Sequence, residues 1–144
     1  MKLYIASDHA GFELKAYLKT NIKNIEWIDL GCDNNNPVDY PDYAADLARH
    51  VVNDHLKGVM ICGSGIGANI AANKIRGARA SLCHDLYSAQ QGVEHDDMNI
   101  LVLGGRVIDK DLALQIVKIF MTAQFSQEER HVRRLNKILA LEKK

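Results

Sequence analysis

The segment whose residue types best suit chemistry is ICGSGIG, residues 61–67. Its alternate glycines Gly63, Gly65 and Gly67 let backbone N–H groups converge on one point without obstruction from side chains. A helix that starts just after them adds the positive end of its dipole. Such a loop can hold a phosphate or stabilise an anion that forms during a reaction, where each well-placed donor contributes roughly 10²–10³ in rate. A tight turn without a ligand is the structural alternative.

Cys62 lies between a strand-like apolar run and this loop. Neighbouring amides and a helix start favour a thiolate, which can act as a nucleophile or as a general base. A buried structural cysteine is the usual alternative, and it is our interpretation of Cys32 and Cys83. The three cysteines are an odd number without CxxC spacing, so neither a disulfide framework nor a zinc site is predicted.

Asp8 and His9 follow the first strand-like run. Adjacent side chains tend to diverge, so we expect each of them to address a separate part of a ligand. The alternative is a helix cap at Asp8 beside an incidental histidine.

A basic cluster lies near the end of the chain. Arg130 and Arg134 have i, i+4 spacing, with His131 on nearly the same side of a helix. Two guanidiniums so placed can grip one phosphate through charge-assisted hydrogen bonds. A solvated helix face paired with the acidic residues 128–129 is the alternative. Arg106, which follows the last strand-like run, is a further candidate for a phosphate contact.

Strand-like and helical patterns alternate along the chain. Strands are predicted at 3–6, 26–30, 58–61, 79–83 and 99–103. Helices are predicted at 12–22, 42–53, 68–74, 86–94, 110–123 and 128–141. The alternation predicts a single three-layer α/β/α domain over residues 1–144, with a five-stranded parallel, Rossmann-like sheet. The last helix follows the last strand, so it is predicted to extend to a partner subunit.

The candidate residues lie at the ends of these strands. Asp8, Cys62 and Arg106 follow the first, third and fifth strands, while His95 and Asn99 lead into the fifth. Ligands of open parallel sheets bind beyond the carboxyl ends of the strands, where the strand order reverses. This placement predicts a binding site at that edge.

Composition excludes several classes of protein. The 144 residues include 18 basic and 18 acidic side chains, so bulk charge does not predict a nucleic-acid surface. No apolar run approaches the ~18 residues that span a bilayer. The first residues enter a strand-like run without a signal-peptide core, so a cytoplasmic protein without membrane contact is expected.

A dinucleotide site is an alternative for the glycine-rich loop. The acidic Asp85 follows that loop by about twenty residues, as in nucleotide-binding βαβ units. However, the glycine spacing is GxGxG instead of GxGxxG, and no second domain is predicted to hold a hydride acceptor.

Six segments in order resemble the type B ribose-5-phosphate isomerases, a family that includes galactose-6-phosphate and allose-6-phosphate isomerases. They are SDHAGF (7–12), DYPDYA (39–44), ICGSGIG (61–67), AANK (71–74), CHDLYSA (83–89) and GGRV (104–107). The resemblance implies an aldose-ketose isomerase of the pentose phosphate pathway, which interconverts ribose 5-phosphate and ribulose 5-phosphate through a cis-enediolate. It implies no metal and no organic cofactor. It also implies a homodimer, or a tetramer built from such dimers, with active sites shared between subunits.

The resemblance also implies roles for individual residues. Cys62 would be the base that moves the proton between C1 and C2, and Ser64 would help proton traffic between the two oxygens. Asp8 and His95 would open the furanose ring, and Tyr40 would line the pocket. The implied substrate contacts are the amides of Gly63, Gly65 and Gly67, the amide side chain of Asn99, and the phosphate ligands His9, Arg106, Arg130, His131 and Arg134.

One position departs from the family pattern. The family usually has His-Asn-Asp-x-Asn, whereas residues 95–99 read His-Asp-Asp-Met-Asn. The missing asparagine would donate a hydrogen bond to the enediolate, and an ionised Asp96 would repel that anion. Two alternatives therefore stay open: an isomerase of allose 6-phosphate or galactose 6-phosphate, and a weakly active phosphosugar-binding protein. The choice between five and six carbons depends on pocket depth around Asn69, Asp42 and Met98.

Overall fold

The computed structural model describes residues 1–142, whose strands form one parallel sheet. The strands are β1 (Lys2–Ser7), β2 (Glu26–Asp29), β3 (Lys57–Cys62), β4 (Ala80–Leu82) and β5 (Ile100–Gly104). The helices are α1 (Phe12–Asn21), α2 (Tyr40–Asp54), α3 (Ile66–Ala72), α4 (Leu86–Asp96), α5 (Lys110–Thr122) and α6 (Glu129–Ala140). A 3-10 turn, His9–Gly11, precedes α1. The predicted α/β class and five-stranded parallel sheet are confirmed.

The strand order in the sheet is β2-β1-β3-β5-β4. The chain therefore moves from β1 to β2 on one side and returns to place β3 on the other side of β1. The order reverses between β1 and β3, which is where open parallel sheets bind ligands. β5 lies between β3 and β4, an arrangement that the order of the elements along the chain does not reveal.

Helices cover both faces of the sheet, which completes the predicted three layers. Side chains alternate along β1, so that Leu3 and Ile5 join one core and Tyr4 and Ala6 join the other. The first core packs under α1, α4 and α5, and the second under α2 and α3. Burial on both faces explains the continuous apolar runs of the central strands. Each large apolar side chain that is fully buried, such as Phe120, stabilises the fold by about 1.5–3 kcal/mol.

Several element boundaries differ from their predictions. α2 begins two residues early, at Tyr40, because Pro41 fits the first turn of a helix. α3 begins directly after Gly65, whose φ of +84° lets the chain turn from the loop into the helix. α6 buries His131 and Leu135 within its own chain and packs beside α4. Its extension to a partner subunit stays a prediction.

Candidate active site

Three loops meet at the carboxyl edge of the sheet. β1, β3 and β5 are neighbours, and they continue into residues 8–11, 63–67 and 105–106. The Asp8 amide, at the start of the first loop, donates to the Ile61 carbonyl near the end of β3, at 3.1 Å. The edge is therefore built by backbone contacts, so its shape depends little on flexible side chains.

Cys62 ends β3 and is buried. Its carbonyl accepts a hydrogen bond from the Gly105 amide at 2.8 Å, and the Gly63 carbonyl accepts one from the Arg106 amide at 3.0 Å. The Arg106 side chain then lies over the loop, with Nη1 3.5 Å from the position that a Cβ on Gly63 would occupy. A guanidinium thus stands beside the residue that follows the thiol, so an anion bound here would meet a fixed positive charge.

The glycine-rich loop leads into the first turn of α3, where amide groups lack acceptors within the helix. The exposed Ser64 lies in this loop, and its Oγ accepts a hydrogen bond from the Ile66 amide at 3.2 Å. A Cβ on Gly65 would stand 2.5 Å from Leu82 Cδ1, so no larger residue fits against β4 there. The loop therefore keeps its backbone close to the sheet and its amides near Cys62.

Tyr40 lies against this loop from the start of α2. A Cβ on Gly67 would be 2.6 Å from the Tyr40 hydroxyl oxygen, which means that the aromatic ring already occupies that space. The tyrosine remains partly exposed. Its ring therefore packs against the loop, and its role in lining a substrate pocket stays a prediction.

Asp8 and His9 have different surroundings, and contact of each with a separate part of a ligand stays a prediction. Asp8 is buried, and its Oδ1 accepts hydrogen bonds from the amides of Ala10 at 3.0 Å and Gly11 at 3.1 Å. Asp8 thus caps the 3-10 turn, which is the alternative that we gave from the sequence. Its second oxygen, Oδ2, takes part in neither of these two bonds. His9 Nδ1 accepts a hydrogen bond from the Val38 amide at 3.2 Å. That contact requires the ring proton of a neutral His9 to be on Nε2.

Five of the predicted site residues lie at the opposite, amino-terminal edge of the sheet. They are His95, Asn99, Arg130, His131 and Arg134. Asn99 directly precedes β5, and the five residues of that strand separate it from the carboxyl edge by ~17 Å. The segment that contains α6 runs along the same edge, from a Ser126–Glu94 backbone contact of 2.9 Å to a Gly77–Glu142 contact of 3.0 Å. One chain therefore does not bring these five residues to its own Cys62.

At the amino edge, His131 is the buried centre of a polar cluster. Its ring stacks on that of His95, with centroids 4.0 Å apart. Its Nδ1 lies 2.6 Å from Ser126 Oγ and 3.2 Å from Glu128 Oε2. Burial, together with the nearby His95 and Arg130, lowers the pKa of His131. Arg130 also contacts Glu128, at 3.2 Å, which is the helix-face pairing that we gave as an alternative.

The side chains of Asn99 and Asp85 already make hydrogen bonds within the chain. Asn99 Oδ1 accepts from the Arg79 amide at 2.7 Å, and its Nδ2 donates to the Gly77 carbonyl at 3.0 Å. A contact of Asn99 with substrate stays a prediction. Asp85 caps α4 by accepting from the Ser88 amide at 2.7 Å and the Ser88 hydroxyl at 3.0 Å. This use of Asp85 argues against the dinucleotide alternative, which needs that carboxylate for a ribose.

Two polar atoms beside the loop make no hydrogen bond within residues 1–142. They are the buried Asn69 Oδ1 and His84 Nε2. Asn69 lies one helical turn beyond Gly65, whose carbonyl accepts from the Asn69 amide at 3.0 Å. His84 follows β4 by two residues, and Leu82, the last residue of β4, abuts Gly65. The side of the loop that faces β4 therefore retains capacity to bind polar groups.

Lys15 is a residue that the sequence analysis missed. It is 2% exposed, and its Nζ donates to Asp29 Oδ1 at 2.8 Å and to the Cys32 carbonyl at 2.5 Å. A lysine on a helix is normally assigned to the surface. The available signal was its spacing with Leu18 and Ile22, because positions i, i+3 and i+7 share the face that packs on the core.

Residues 1–142 contain neither a cluster of metal-ligating side chains nor a helix suited to cross a membrane. No group of three or more His, Cys, Asp and Glu side chains in this range could hold a metal ion. No helix in the same range is long and apolar enough to cross a bilayer.

Comparison with known proteins identifies the family. The profile of the family described as Ribose/Galactose Isomerase matches residues 3–138. The chain belongs to this family. It is 46% identical over 148 residues to the putative sugar phosphate isomerase YwlF of Bacillus subtilis, covering 100% of this chain and 99% of that one. It is 38% identical to ribose-5-phosphate isomerase B of Escherichia coli, over 99% and 97% of the two chains.

Solved structures of the family agree with the fold. Ribose-5-phosphate isomerase B of Clostridium thermocellum superposes with a TM-score of 0.95 at 44% identity, over 99% of this chain and 98% of that one. The resemblance to type B ribose-5-phosphate isomerases that the six sequence motifs indicate is confirmed.

Proposed function

We propose that this family member is an isomerase that interconverts ribose 5-phosphate and ribulose 5-phosphate in the non-oxidative branch of the pentose phosphate pathway. The main support is the convergence of the Cys62 thiol, the glycine-rich loop and the Arg106 guanidinium at one edge of the sheet. A base beside an anion site suits proton abstraction next to a carbonyl. Relatives named ribose-5-phosphate isomerase B, which align over nearly the whole chain, support the choice of substrate.

In the proposed mechanism, the Cys62 thiolate removes the proton from C2 of the open-chain aldose. The electrons of that C–H bond form the C1–C2 double bond, and negative charge moves to the C1 oxygen. Amides of residues 63–67 stabilise this enediolate, and each donor contributes roughly 10²–10³ in rate. Ser64 assists transfer of the proton from the C2 oxygen to the C1 oxygen. The Cys62 thiol then returns its proton to C1, which leaves the ketone at C2.

Ring opening and binding involve the residues around this centre. Asp8, whose Oδ2 makes neither of the two capping bonds, acts with His95 of the partner subunit to open the furanose ring. Tyr40 forms the wall of the pocket beside Gly67. His9 and Arg106 bind the phosphate, with the His9 Nε2 proton as one donor.

The rest of the proposed site comes from a second copy of the chain. A two-fold homodimer can place the amino edge of each subunit against the carboxyl edge of the other. This arrangement would add Asn99 and His95 to the substrate pocket, and Arg130, His131 and Arg134 to the phosphate site. Exposed apolar side chains support a partner at this surface, because Ile66 and Ile70 of α3 are more than half exposed beside the loop. Leu141, just beyond α6, is also exposed, as expected if the last helix extends to the partner.

The full proposal is one sugar-phosphate isomerase domain over residues 1–144, acting as a homodimer or as a tetramer of such dimers. It needs no metal or organic cofactor and binds neither nucleic acid nor membrane. We infer a cytoplasmic location for it.

The test is the rate of ribose 5-phosphate conversion to ribulose 5-phosphate, measured with and without EDTA, for the wild type and Cys62→Ala. The matched control is Cys83→Ala, which truncates a second buried cysteine, one that packs in the core on the other face of the sheet. We expect turnover that is insensitive to EDTA in the wild type and the control, and a loss of at least ~10³ in kcat in Cys62→Ala. Normal turnover by Cys62→Ala would contradict the assignment of the base.

The same assay separates the alternatives. Turnover of allose 6-phosphate or galactose 6-phosphate, without turnover of ribose 5-phosphate, would replace the five-carbon substrate with a six-carbon one. Binding of phosphosugars without turnover of any of them would identify a binding protein.

A further inference from the structure

The buried ammonium of Lys15 joins helix α1 to the connection that follows β2. It donates to Asp29 Oδ1 at 2.8 Å and to the Cys32 carbonyl at 2.5 Å. The same carboxylate accepts from the Gly31 amide at 2.9 Å and, through Oδ2, from Lys19 Nζ at 2.8 Å. Burial alone would raise the pKa of Asp29, but these hydrogen bonds lower it below its ordinary value. The carboxylate and its donors are therefore bound tightly together.

The connection held by Lys15 is also joined to the end of β1. The Cys32 amide donates to the Ser7 carbonyl at 2.9 Å, and the Ser7 amide donates to the Gly31 carbonyl at 2.8 Å. Ser7 is the last residue of β1 and directly precedes Asp8 and His9. The position of residues 31–32 is thus coupled to the start of the loop that carries both side chains.

The far end of the same connection orients His9. The Val38 amide donates to His9 Nδ1 at 3.2 Å, which holds the proton of the neutral ring on Nε2. The connection is also packed on α2, since a Cβ on Gly31 would stand 2.9 Å from Cε1 of Tyr43. Lys15 is the buried charge that holds this connection at Cys32, and Cys32 lies six residues before Val38, whose amide orients the imidazole.

We propose that Lys15 is a positioning residue that fixes the ring orientation and tautomer of His9 through residues 29–38. The consequence for substrate binding rests on the proposed function, in which His9 binds the phosphate. Loss of the buried ammonium leaves the Cys32 carbonyl without this donor and removes one of the three donors to Asp29. An unpaired buried carbonyl is costly. The connection then shifts, and Val38 no longer holds one tautomer of His9.

The test compares Lys15→Met with Lys19→Met in the full-length protein. Both substitutions remove one hydrogen bond to Asp29, but Lys19 is 36% exposed, whereas Lys15 is 2% exposed and also holds the Cys32 carbonyl. Long-range ¹H–¹⁵N NMR spectra report the tautomer of each histidine, and a His9→Gln variant assigns the His9 signals. We expect the Nε2–H form in the wild type and in Lys19→Met, and a mixture of tautomers in Lys15→Met. A wild-type His9 pattern in Lys15→Met would overturn the proposal.

Kinetics give the second measurement. We expect Lys15→Met to raise KM for ribose 5-phosphate about tenfold with kcat nearly unchanged, because a misoriented binding group weakens binding more than chemistry. A changed tautomer with an unchanged KM would support the positioning role and contradict phosphate binding by His9. Absence of isomerase activity in the wild type would contradict the proposed function, while the NMR result would still decide the role of Lys15. If Lys15→Met does not fold, Lys15→Gln, whose shorter neutral side chain cannot make both contacts, provides the same comparison.

Discussion

The carboxyl and amino edges of the sheet both carry polar site candidates, but they are built differently. At the carboxyl edge, backbone amides and carbonyls join the loops, as in the Gly105–Cys62 and Arg106–Gly63 contacts. At the amino edge, side chains bind one another, as His131 does with Ser126 and Glu128. A backbone site is preorganised and needs no rearrangement when charge develops. In the side-chain cluster, His131 and Arg130 must exchange partners before they can bind a ligand.

This difference suggests that the two edges have different roles. The edge with fixed amides and a thiol is suited to the proton transfer, and the edge with arginines and histidines is suited to grip a phosphate. Because β5 holds the two edges ~17 Å apart in one chain, one copy cannot use both on one small substrate. The comparison therefore predicts that catalysis needs two copies.

The largest expected effect comes from mixing two defective variants. Cys62→Ala lacks the proposed base, and Arg134→Ala lacks a proposed phosphate ligand at the other edge. If each site uses Cys62 of one subunit and Arg134 of its partner, a mixed dimer contains one intact site. Random reassociation makes half of the dimers mixed, so we expect about 25% of wild-type kcat/KM from the two nearly inactive proteins. Assays at low substrate before and after unfolding and refolding the mixture measure this recovery.

The control for this experiment mixes Cys62→Ala with a variant that is also defective at the carboxyl edge, Arg106→Ala. Both changes lie in loops joined within one chain, so a mixed dimer should have no intact site and activity should not recover. Recovery in the control, or none with Arg134→Ala, would contradict the division between the edges.

A second prediction disrupts the carboxyl edge without removing any of its polar groups. Gly67→Ala places a methyl group where the Tyr40 ring lies, 2.6 Å from its hydroxyl oxygen. We expect displacement of the ring and the loop to reduce kcat/KM by roughly 10², since misplacement by about 1 Å has such effects. Steady-state kinetics check the loss, and thermal unfolding checks the fold. Tyr40→Ala with Gly67→Ala should lose little more than Gly67→Ala alone, and additive losses would contradict this contact as the cause.

The sequence predicted the carboxyl edge better than the amino edge, for a physical reason. Residues that follow parallel strands share one edge, so Asp8, Cys62 and Arg106 could be grouped from the strand pattern alone. His95 and Asn99 lead into a strand, which places them at the opposite edge. Their partners there depend on how α6 packs, and helical periodicity does not show that.

Lys15 shows a further limit of the sequence analysis. Residue type assigns lysine to solvent, and the spacing with Leu18 indicates only that Lys15 lies on the core side of α1. The partners of its ammonium, Asp29 and Cys32, are revealed only by tertiary contacts. Those partners are 14 and 17 positions away along the chain. No local pattern predicts that pairing.

A third prediction concerns pH and sharpens the contrast between the edges. Burial, His95 and Arg130 lower the pKa of His131 in the folded state, so the unfolded chain binds more protons. The stability that neutral His131 contributes is present above about 6.5, the pKa of histidine in the unfolded chain. It is lost as the pH falls below that value toward the lower pKa of the folded state. We expect Tm to fall over this window in the wild type, and to fall less in His131→Gln. The control is His55→Asn, which changes an exposed histidine and should keep the wild-type profile.

The smallest expected effect is that of Asp96→Asn. Asp96 is exposed at the end of α4, next to His95 and at the edge opposite its own Cys62. In a shared site it would enter the partner's pocket together with His95, and its negative charge would oppose the enediolate. Exposed charges interact weakly, so we expect removal of this charge to raise kcat about two- to fivefold. The gain should shrink as salt screens the charge, whereas Asp97→Asn, which breaks the Arg79 ion pair instead, should give no gain. An unchanged kcat in Asp96→Asn would show that this carboxylate lies away from the reacting atoms in the partner's pocket. The shared site would then include His95 but not Asp96.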